Sequence, residues 1–459
     1  MTHLLRRSRP EDQGLPSAAI ARFVHALDAI PHVHTMTVVR HGHVVAEFAR
    51  EPYARDAPHA LYSVSKSFTS IAVGLAIEEG LFSLDDRVVE LLADFAPADP
   101  SARLAALTVR HLLTMSTGHD REPWADGRGD WSRGVLAVDL AHDPGTRWLY
   151  NTPATHLLSQ IVQTRTGERL LDYLTPRLFD PLGFAAPTWL QSPAGVDAGG
   201  WGLSLRAEEL AVFGQLLLQR GRWHDRQLVP ADWIDQATSR HIANGNPSAA
   251  SDWSQGYGFQ FWMCRHGAYR ADGAFGQFVV VLPAQDAVVT MTSGTSDMAA
   301  ALDAVWNTLL PAFDTVEDAA AIPAPRPIAP SGGEARDTEA SFAYKGPIRR
   351  LGLARGVLDL NGVALPFAPD AWVVESAEPL LRRLKVFGAR VAVSGGWRGP
   401  VFIAQVRALE DVVTFRLELG TTGHLTITRD VGFEGADVWD GDPVAPPPNQ
   451  SDSASGSTS

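Results

Sequence analysis

The stretch Tyr62-Ser63-Val64-Ser65-Lys66-Ser67-Phe68 decides the reading of this chain. Residues 64–79, which it opens, put Phe68, Ile71 and Leu75 on one face and end before Gly80, so a helix is expected there. Ser63 and Lys66 then stand three positions apart at its start, on one face, where hydroxyl and amine can touch. A serine hydroxyl is a weak nucleophile until a base takes its proton, and a lysine serves as that base once burial or nearby cations lower its pKa. Arginine cannot, because its guanidinium stays protonated. The free N–H groups and positive dipole end of a helix start favour a negative oxygen forming beside Ser63. Of the 39 basic residues only Lys66, Lys345 and Lys385 are lysine, so the amine at 66 stands where charge alone would be met by arginine.

Working outward, residues 35–48 alternate as strand, His41-Gly42 and strand, a hairpin with a two-residue loop. Further helices are expected at 155–164, 207–219 and 300–309, and strands at 256–262 and 277–292. Strands at both ends with helices between make an α+β arrangement, an antiparallel sheet flanked by helices plus an all-helical region. The run Ala-Ile-Pro-Ala-Pro-Arg-Pro-Ile-Ala-Pro-Ser-Gly-Gly then changes the character of the chain. Residues 1–315 are therefore read as the main domain, 316–340 as a Pro/Ala-rich linker, 341–445 as a small all-β domain, and 446–459 as a disordered tail. The β domain rests on short runs at 357–360, 386–393, 401–406, 412–417 and 425–428.

Composition excludes several functions. The 39 basic and 52 acidic residues give a net charge of −13, which repels phosphate backbones and anionic lipid, so neither nucleic acid nor a membrane surface is an expected partner. Cys264 is the only cysteine, which rules out an intrachain disulfide. No signal-like apolar run follows the charged first residues and no stretch reaches a membrane span, so a cytoplasmic protein is the expectation. His32, His34, His41 and His43 do not make a metal site: at roughly 3.3 Å per residue the two pairs lie about 20 Å apart along the proposed hairpin. No cofactor or metal is expected. No serine sits in a G-x-S-x-G elbow, so an α/β-hydrolase triad has no support.

The segment Pro144-Gly145-Thr146-Arg147-Trp148-Leu149-Tyr150-Asn151-Thr152 presents a tyrosine at a turn ahead of a helix, a second group able to relay a proton. With His111-Leu112-Leu113-Thr114-Met115-Ser116-Thr117-Gly118 and Ala271-Asp272-Gly273-Ala274-Phe275-Gly276-Gln277, these blocks resemble the serine β-lactamase and penicillin-binding-protein superfamily. Within it the chain is most similar to 6-aminohexanoate-dimer hydrolases and family VIII-type esterases, over roughly residues 10–313. The resemblance implies a β-lactamase-like fold, with Ser63 as nucleophile, Lys66 as general base and Tyr150 as the group that protonates the leaving group. It implies an oxyanion hole made by the N–H groups of Ser63 and Ala274. The family's Y-x-N pattern puts asparagine at 152, where this chain has threonine; either Asn151 acts from a shifted backbone or Thr152 replaces it. With no counterpart of the class A deacylation glutamate motif, deacylation falls to Lys66 and Tyr150.

The third motif departs further. The lactamases' K-T-G reads Ala271-Asp272-Gly273, so the groups that meet a substrate carboxylate are gone, and Asp272 repels an anion if it faces the pocket. Gly273 is kept, consistent with close backbone approach. The expected substrate is an uncharged ester or small linear amide, with a β-lactam or D-aminoacyl peptide as the alternative. A different class of reading keeps the fold as an acyl-sensing or ligand-binding module without turnover. Nine of the 13 tryptophans fall between Trp124 and Trp262, and Trp148, Trp201 or Trp262 are candidates to line the acyl pocket, against core packing.

Overall fold

The hairpin closes at His41 and Gly42, whose φ values of 48° and 73° are those a two-residue loop between twisted strands requires. In the computed structural model, which describes residues 3–123, 129–248, 251–431 and 437–444, its arms are Val33–Arg40 and His43–Ala49, paired Arg40 to His43. They belong to a seven-stranded sheet in the order Arg6–Arg7, His43–Ala49, Val33–Arg40, Ala287–Ser293, Gln277–Leu282, Tyr269–Gly273, Trp262–Met263. The strand Ala287–Ser293 lies antiparallel beside Val33–Arg40, so residues some 250 apart in sequence share the centre of one sheet. Alternation along the strands divides the core. Val279, Val281 and Val288 pack with Phe68, Val212 and Phe213 on one face, while Val280 and Val289 pack with Phe23, Leu27 and Leu302 on the other.

Helix Ser65–Glu78 is buried from Ser65 to Ala76, against helix Thr152–Thr166. Thr152–Thr166 starts earlier than its apolar pattern predicts, because the Asn151 side chain caps it by accepting from Ala154 N at 3.1 Å, and it stops at Gly167, φ 76°. Helix Ala207–Leu218 follows its expectation closely. Met298–Ala304 begins two residues early under an Asp297 cap and runs on as a π-helical turn, Val305–Leu309.

Two strand expectations need correction. Residues 256–262 do not form a strand: Gln260 takes φ 67° and Gly258 N bonds back to Phe261 O at 2.8 Å, so only isolated bridges at Tyr257 and the short strand Trp262–Met263 remain. Residues 277–292 split into a hairpin, because Pro283 opens a turn that Asp286 closes at φ 46°.

The chain divides into two compact units, Met1–Pro327 and Ile328–Ser459. The second contains a four-stranded antiparallel meander, Ala340–Ala343 to Val363–Pro366, and a six-stranded one, Val373–Ser376 to Asp437–Gly441. Ser331 and Glu334 already belong to it, through bonds to Ser394 and Trp397. The strands expected at 386–393 and 412–417 are displaced to Arg390–Arg398 and Thr414–Leu419; Val386 instead closes helix Glu378–Arg383 through Leu381 O. The segment 446–459, read as a disordered tail, lies outside the described residues. No described helix is long and apolar enough to cross a membrane.

Candidate active site

Ser63 occupies a 3-10 turn, Tyr62–Val64, immediately ahead of helix Ser65–Glu78. Tyr62 enters it at φ 49°, Leu61 N is tied to Leu203 O at 2.9 Å, and the half-buried Ser63 side chain is left facing Lys66. Lys66 is 1% exposed, and its Nζ donates to Ser63 Oγ at 2.9 Å and to Gly200 O at 2.8 Å. The same helix turn is locked to the 199–203 segment twice more, by Leu203 N on Ser65 Oγ at 3.1 Å and Thr69 Oγ1 on Gly199 O at 2.9 Å. Lys66 is thus fixed by its neighbours as much as by its own contacts. Burial draws its pKa down to about 7, against the opposing pull of Glu122 and Asp272. An amine in that state accepts a proton at neutral pH.

Tyr150 lies with its ring face 4.9 Å from Lys66 Nζ. Burial pushes its phenol well above the ordinary value, and a hydrogen bond with the Ser63 side chain pulls it partly back. It therefore keeps its proton and can donate one. Trp262 and Tyr257 hold the ring at centroid separations of 5.4 and 6.4 Å, and Trp148 packs on the same cluster, 5.5 Å from Trp262. Trp201 stacks on Trp131 at 5.2 Å and directly follows Gly200, whose carbonyl receives Lys66.

The end of strand Tyr269–Gly273 meets the Ser63 turn. A Cβ on Gly273 would lie 2.4 Å from Leu61 O, so only glycine permits this approach, and Phe275, at φ 64°, sets its ring edge-on to Tyr62 at 5.4 Å. Neither the Ser63 N–H nor the Ala274 N–H has an acceptor among the described residues. Two such donors on adjoining turns can receive one oxyanion.

Asn151 and Thr152 have separate surroundings. Asn151 is fully buried; besides capping its helix it donates through Nδ2 to Thr117 Oγ1 at 3.0 Å and lies 3.3 Å from His119 Nδ1. Its side chain has no bond to Ser63 or Lys66, and it joins the Ser116–His119 loop to the Tyr150 turn. Thr152 N donates to Glu122 Oε1 at 2.7 Å.

Asp272 differs most from its expectation. It does face this region, yet it is no bare anion: Arg270, on the same strand and wholly buried, donates to Asp272 Oδ2 at 2.8 Å. Arg270 lies over the rings of Trp253 and Trp262, 4.8 and 5.5 Å from their centroids, and reaches Asp252 O and Cys264 Sγ. Burial raises the Asp272 carboxyl and Arg270 opposes this. The pair cancels most of its own field, so simple repulsion of an anion by Asp272 is not what the geometry provides. Burial pushes the Cys264 thiol up to about 11, which holds it in the protonated form at neutral pH.

Glu122, Arg270 and Gly200 escaped the sequence reading. Glu122 and Arg270 stand in no motif, and Gly200 contributes only a backbone carbonyl. The histidine-rich hairpin makes an unforeseen contact, His34 Nδ1 to His59 Nε2 at 3.0 Å, and the described residues contain no group of three or more potential metal ligands.

A sheet with helices on both faces, carrying a serine and a buried lysine at the mouth of its central helix, defines a protein of the β-lactamase and penicillin-binding-protein class, a serine-hydrolase class. The chain belongs to the beta-lactamase family, whose sequence model matches residues 8–310. It is 27% identical over 288 residues to the 6-aminohexanoate-dimer hydrolase of Paenarthrobacter ureafaciens, covering 57% of this chain and 72% of that protein. It is 29% identical to the lovastatin esterase of Penicillium rubens, over 29% of this chain and 40% of that protein. Among solved structures, the hydrolase EstCE1, with promiscuous acyltransferase activity, superposes with a TM-score of 0.53 at 19% identity, over 63% of this chain and 99% of its own. The octameric penicillin-binding protein homologue of Pyrococcus abyssi reaches a TM-score of 0.51 at 16% identity and covers 91% of this chain and 97% of its own, a likeness of fold.

Proposed function

We propose that this protein hydrolyses a carboxylic ester or a small linear amide through an acyl-enzyme on Ser63. The observation that carries the reading is the 2.9 Å contact from Lys66 Nζ to Ser63 Oγ, made by an amine whose pKa burial has drawn to about 7. Neutral Lys66 takes the Ser63 proton as Oγ attacks the carbonyl carbon. The carbonyl oxygen takes up charge between the N–H groups of Ser63 and Ala274. Tyr150, which retains its proton, passes it to the departing alkoxide or amine, and water then cleaves the acyl-serine by the same relay run through Lys66 and Tyr150. No metal or organic cofactor enters these steps.

An uncharged acyl group suits the site. Trp148, half-buried and packed on the buried rings of Tyr257 and Trp262, offers aromatic surface beside Tyr150, and the cation nearest the third motif, Arg270, is already engaged by Asp272. The relatives named as a 6-aminohexanoate-dimer hydrolase and as a lovastatin esterase agree with either scissile bond.

Intact-mass measurement after mixing with a p-nitrophenyl ester tests this, using wild type and Ser63→Ala. The reading requires turnover and a transient acyl adduct on Ser63, both lost in the variant. Turnover that survives Ser63→Ala overturns it, and a permanent adduct without turnover replaces it with the acyl-sensing reading. Faster cleavage of carboxylated than of neutral acyl substrates would return a β-lactam or D-aminoacyl peptide to first place.

A further inference from the structure

Gln260 is 2% exposed and takes φ 67°, a left-handed conformation that a residue with a side chain holds only where its surroundings enforce it. Its backbone and side-chain polar groups are all engaged. The N–H donates to Leu113 O at 3.1 Å, side-chain Nε2 donates to Leu112 O at 3.1 Å and Leu113 O at 2.9 Å, Oε1 accepts from Thr155 Oγ1 at 2.7 Å, and the carbonyl accepts from Ser67 Oγ at 2.8 Å. These partners lie on three helices, Ser65–Glu78, Val109–Leu113 and Thr152–Thr166, and Ser67 directly follows Lys66. Two of the ties lead to Tyr150. Gln260 sits in the turn that Gly258 N closes on Phe261 O at 2.8 Å, and at its ends Tyr257 and Trp262 form a bridge with their rings 5.2 Å apart, edge to face. Both rings pack on Tyr150. Helix Val109–Leu113 leads on to Met115, whose carbonyl accepts from Leu149 N at 2.9 Å and whose Sδ accepts from Asn151 N at 3.2 Å, the residues on either side of Tyr150. One buried amide therefore joins what supports the Tyr150 ring to what supports its backbone.

We propose that Gln260 is a positioning residue for proton transfer from Tyr150: it locks the Tyr257–Trp262 turn to the helices beside Lys66 and Tyr150, so that the phenol stays in reach of Ser63 Oγ and of the leaving group. The inference rests on the reading of Tyr150 as proton donor given above. In the step concerned, the C–O or C–N bond of the tetrahedral intermediate breaks and its electron pair goes to the leaving oxygen or nitrogen. The phenol proton of Tyr150 passes to that atom, and the phenolate recovers a proton from Lys66, which took one from Ser63. A donor misplaced by about 1 Å transfers its proton far more slowly. Gln260 touches neither substrate nor Ser63, and acts only through the aromatic turn and the two carbonyls it holds.

Two esters of one acid separate positioning from folding. The phenolate of p-nitrophenyl butyrate leaves at neutral pH without a proton, whereas the alkoxide of ethyl butyrate must be protonated as it leaves. The quantity read is the ratio of kcat/KM for the p-nitrophenyl over the ethyl ester, in the full chain and its variants, with a thermal melt to show that each is folded. Tyr150→Phe should raise that ratio by about tenfold or more. Gln260→Met keeps the length of the side chain and removes its bonds to Leu112, Leu113 and Thr155, and should raise the ratio by about fivefold or more. Thr155→Val removes only the bond to Oε1; it should raise the ratio by about twofold to threefold, and it carries the test if Gln260→Met does not fold. A purely structural role would lower both esters together and leave the ratio where it was. If Gln260→Met, or Thr155→Val in its place, leaves the ratio at the wild-type value while Tyr150→Phe raises it, the inference is overturned and Tyr150 stands as donor. A ratio unmoved by Tyr150→Phe overturns the reading of Tyr150 itself, and this inference with it.

Discussion

Lys66 Nζ stands 2.9 Å from Ser63 Oγ with its other fixed partner, Gly200 O, at 2.8 Å, so the amine is oriented before any substrate arrives. Removing the amine should remove the base and leave the nucleophile in place. Lys66→Met is expected to lower kcat/KM for a p-nitrophenyl ester by about a thousandfold or more, and Tyr150→Phe by about a hundredfold or more, within the range of general acid–base groups. Lys66→Arg, which keeps the positive charge, is a poorer probe, because a larger and permanently charged group must fit where the side chain is 1% exposed. Stopped-flow measurement of the p-nitrophenolate burst distinguishes lost acylation from lost deacylation.

Acylation should rise with pH with a midpoint of about 7, because only the neutral amine accepts the Ser63 proton. Glu122 favours the charged amine, so Glu122→Gln should move that midpoint down, on the order of half a unit, while glutamine keeps an acceptor for Thr152 N. A pH profile of kcat/KM for both proteins measures it. An upward shift, or none, would remove Glu122 from the field acting on Lys66.

The parts legible in the sequence were those fixed by local chemistry. Ser63 and Lys66 are coupled by helical spacing, and His41-Gly42 by the φ values a tight hairpin needs, so each could be read from a few residues. What stayed hidden depends on contacts between distant segments, or on an element that has to be in place before a local contact can form. Gln260 reverses the chain while its side chain bonds the Leu112 and Leu113 carbonyls, and nothing in the β-rich run around it announces that. Asp272 looked like an isolated acid because residues 269–273 were not expected to form a strand, and only in a strand do Arg270 and Asp272, two apart, share a face. Asn151 looked like a substrate contact because its motif neighbourhood says so, whereas its capping bond to Ala154 becomes visible only with the helix in place.

Gly273 offers a test of how tightly the two turns must meet. In Gly273→Ala the new methyl would lie 2.4 Å from Leu61 O, a backbone atom that can move only with the Ser63 turn. The expected outcome is a loss of about 1–3 kcal/mol of stability by urea denaturation, the usual scale of overpacking. Acylation should fall by about tenfold or more as the Ala274 N–H moves off the oxyanion position proposed for it. Wild-type values for both would mean that strand and turn can separate without consequence.

Stability should carry the signature of a buried amine. In the unfolded chain Lys66 has the ordinary pKa of 10.5 and in the folded protein about 7, so between these values the unfolded state holds the extra proton and stability rises with pH. Below the folded value both states are protonated and the folded state bears the whole cost of the buried charge; above 10.5 neither is protonated and the cost is gone. Lys66→Met removes it at every pH, giving up the bonds to Ser63 and Gly200. The variant should therefore be more stable than wild type at pH 7, on the order of 2 kcal/mol, as substitutions that relieve a functional site often are. The advantage should shrink as the pH rises from about 7 toward 10.5, where the unfolded chain also gives up the proton that the folded protein has already lost. Urea denaturation of both proteins across that range measures the difference directly. A gap that does not change with pH would mean that the Lys66 pKa is not displaced by folding, and the amine would then be too strongly protonated at neutral pH to serve Ser63 as a base.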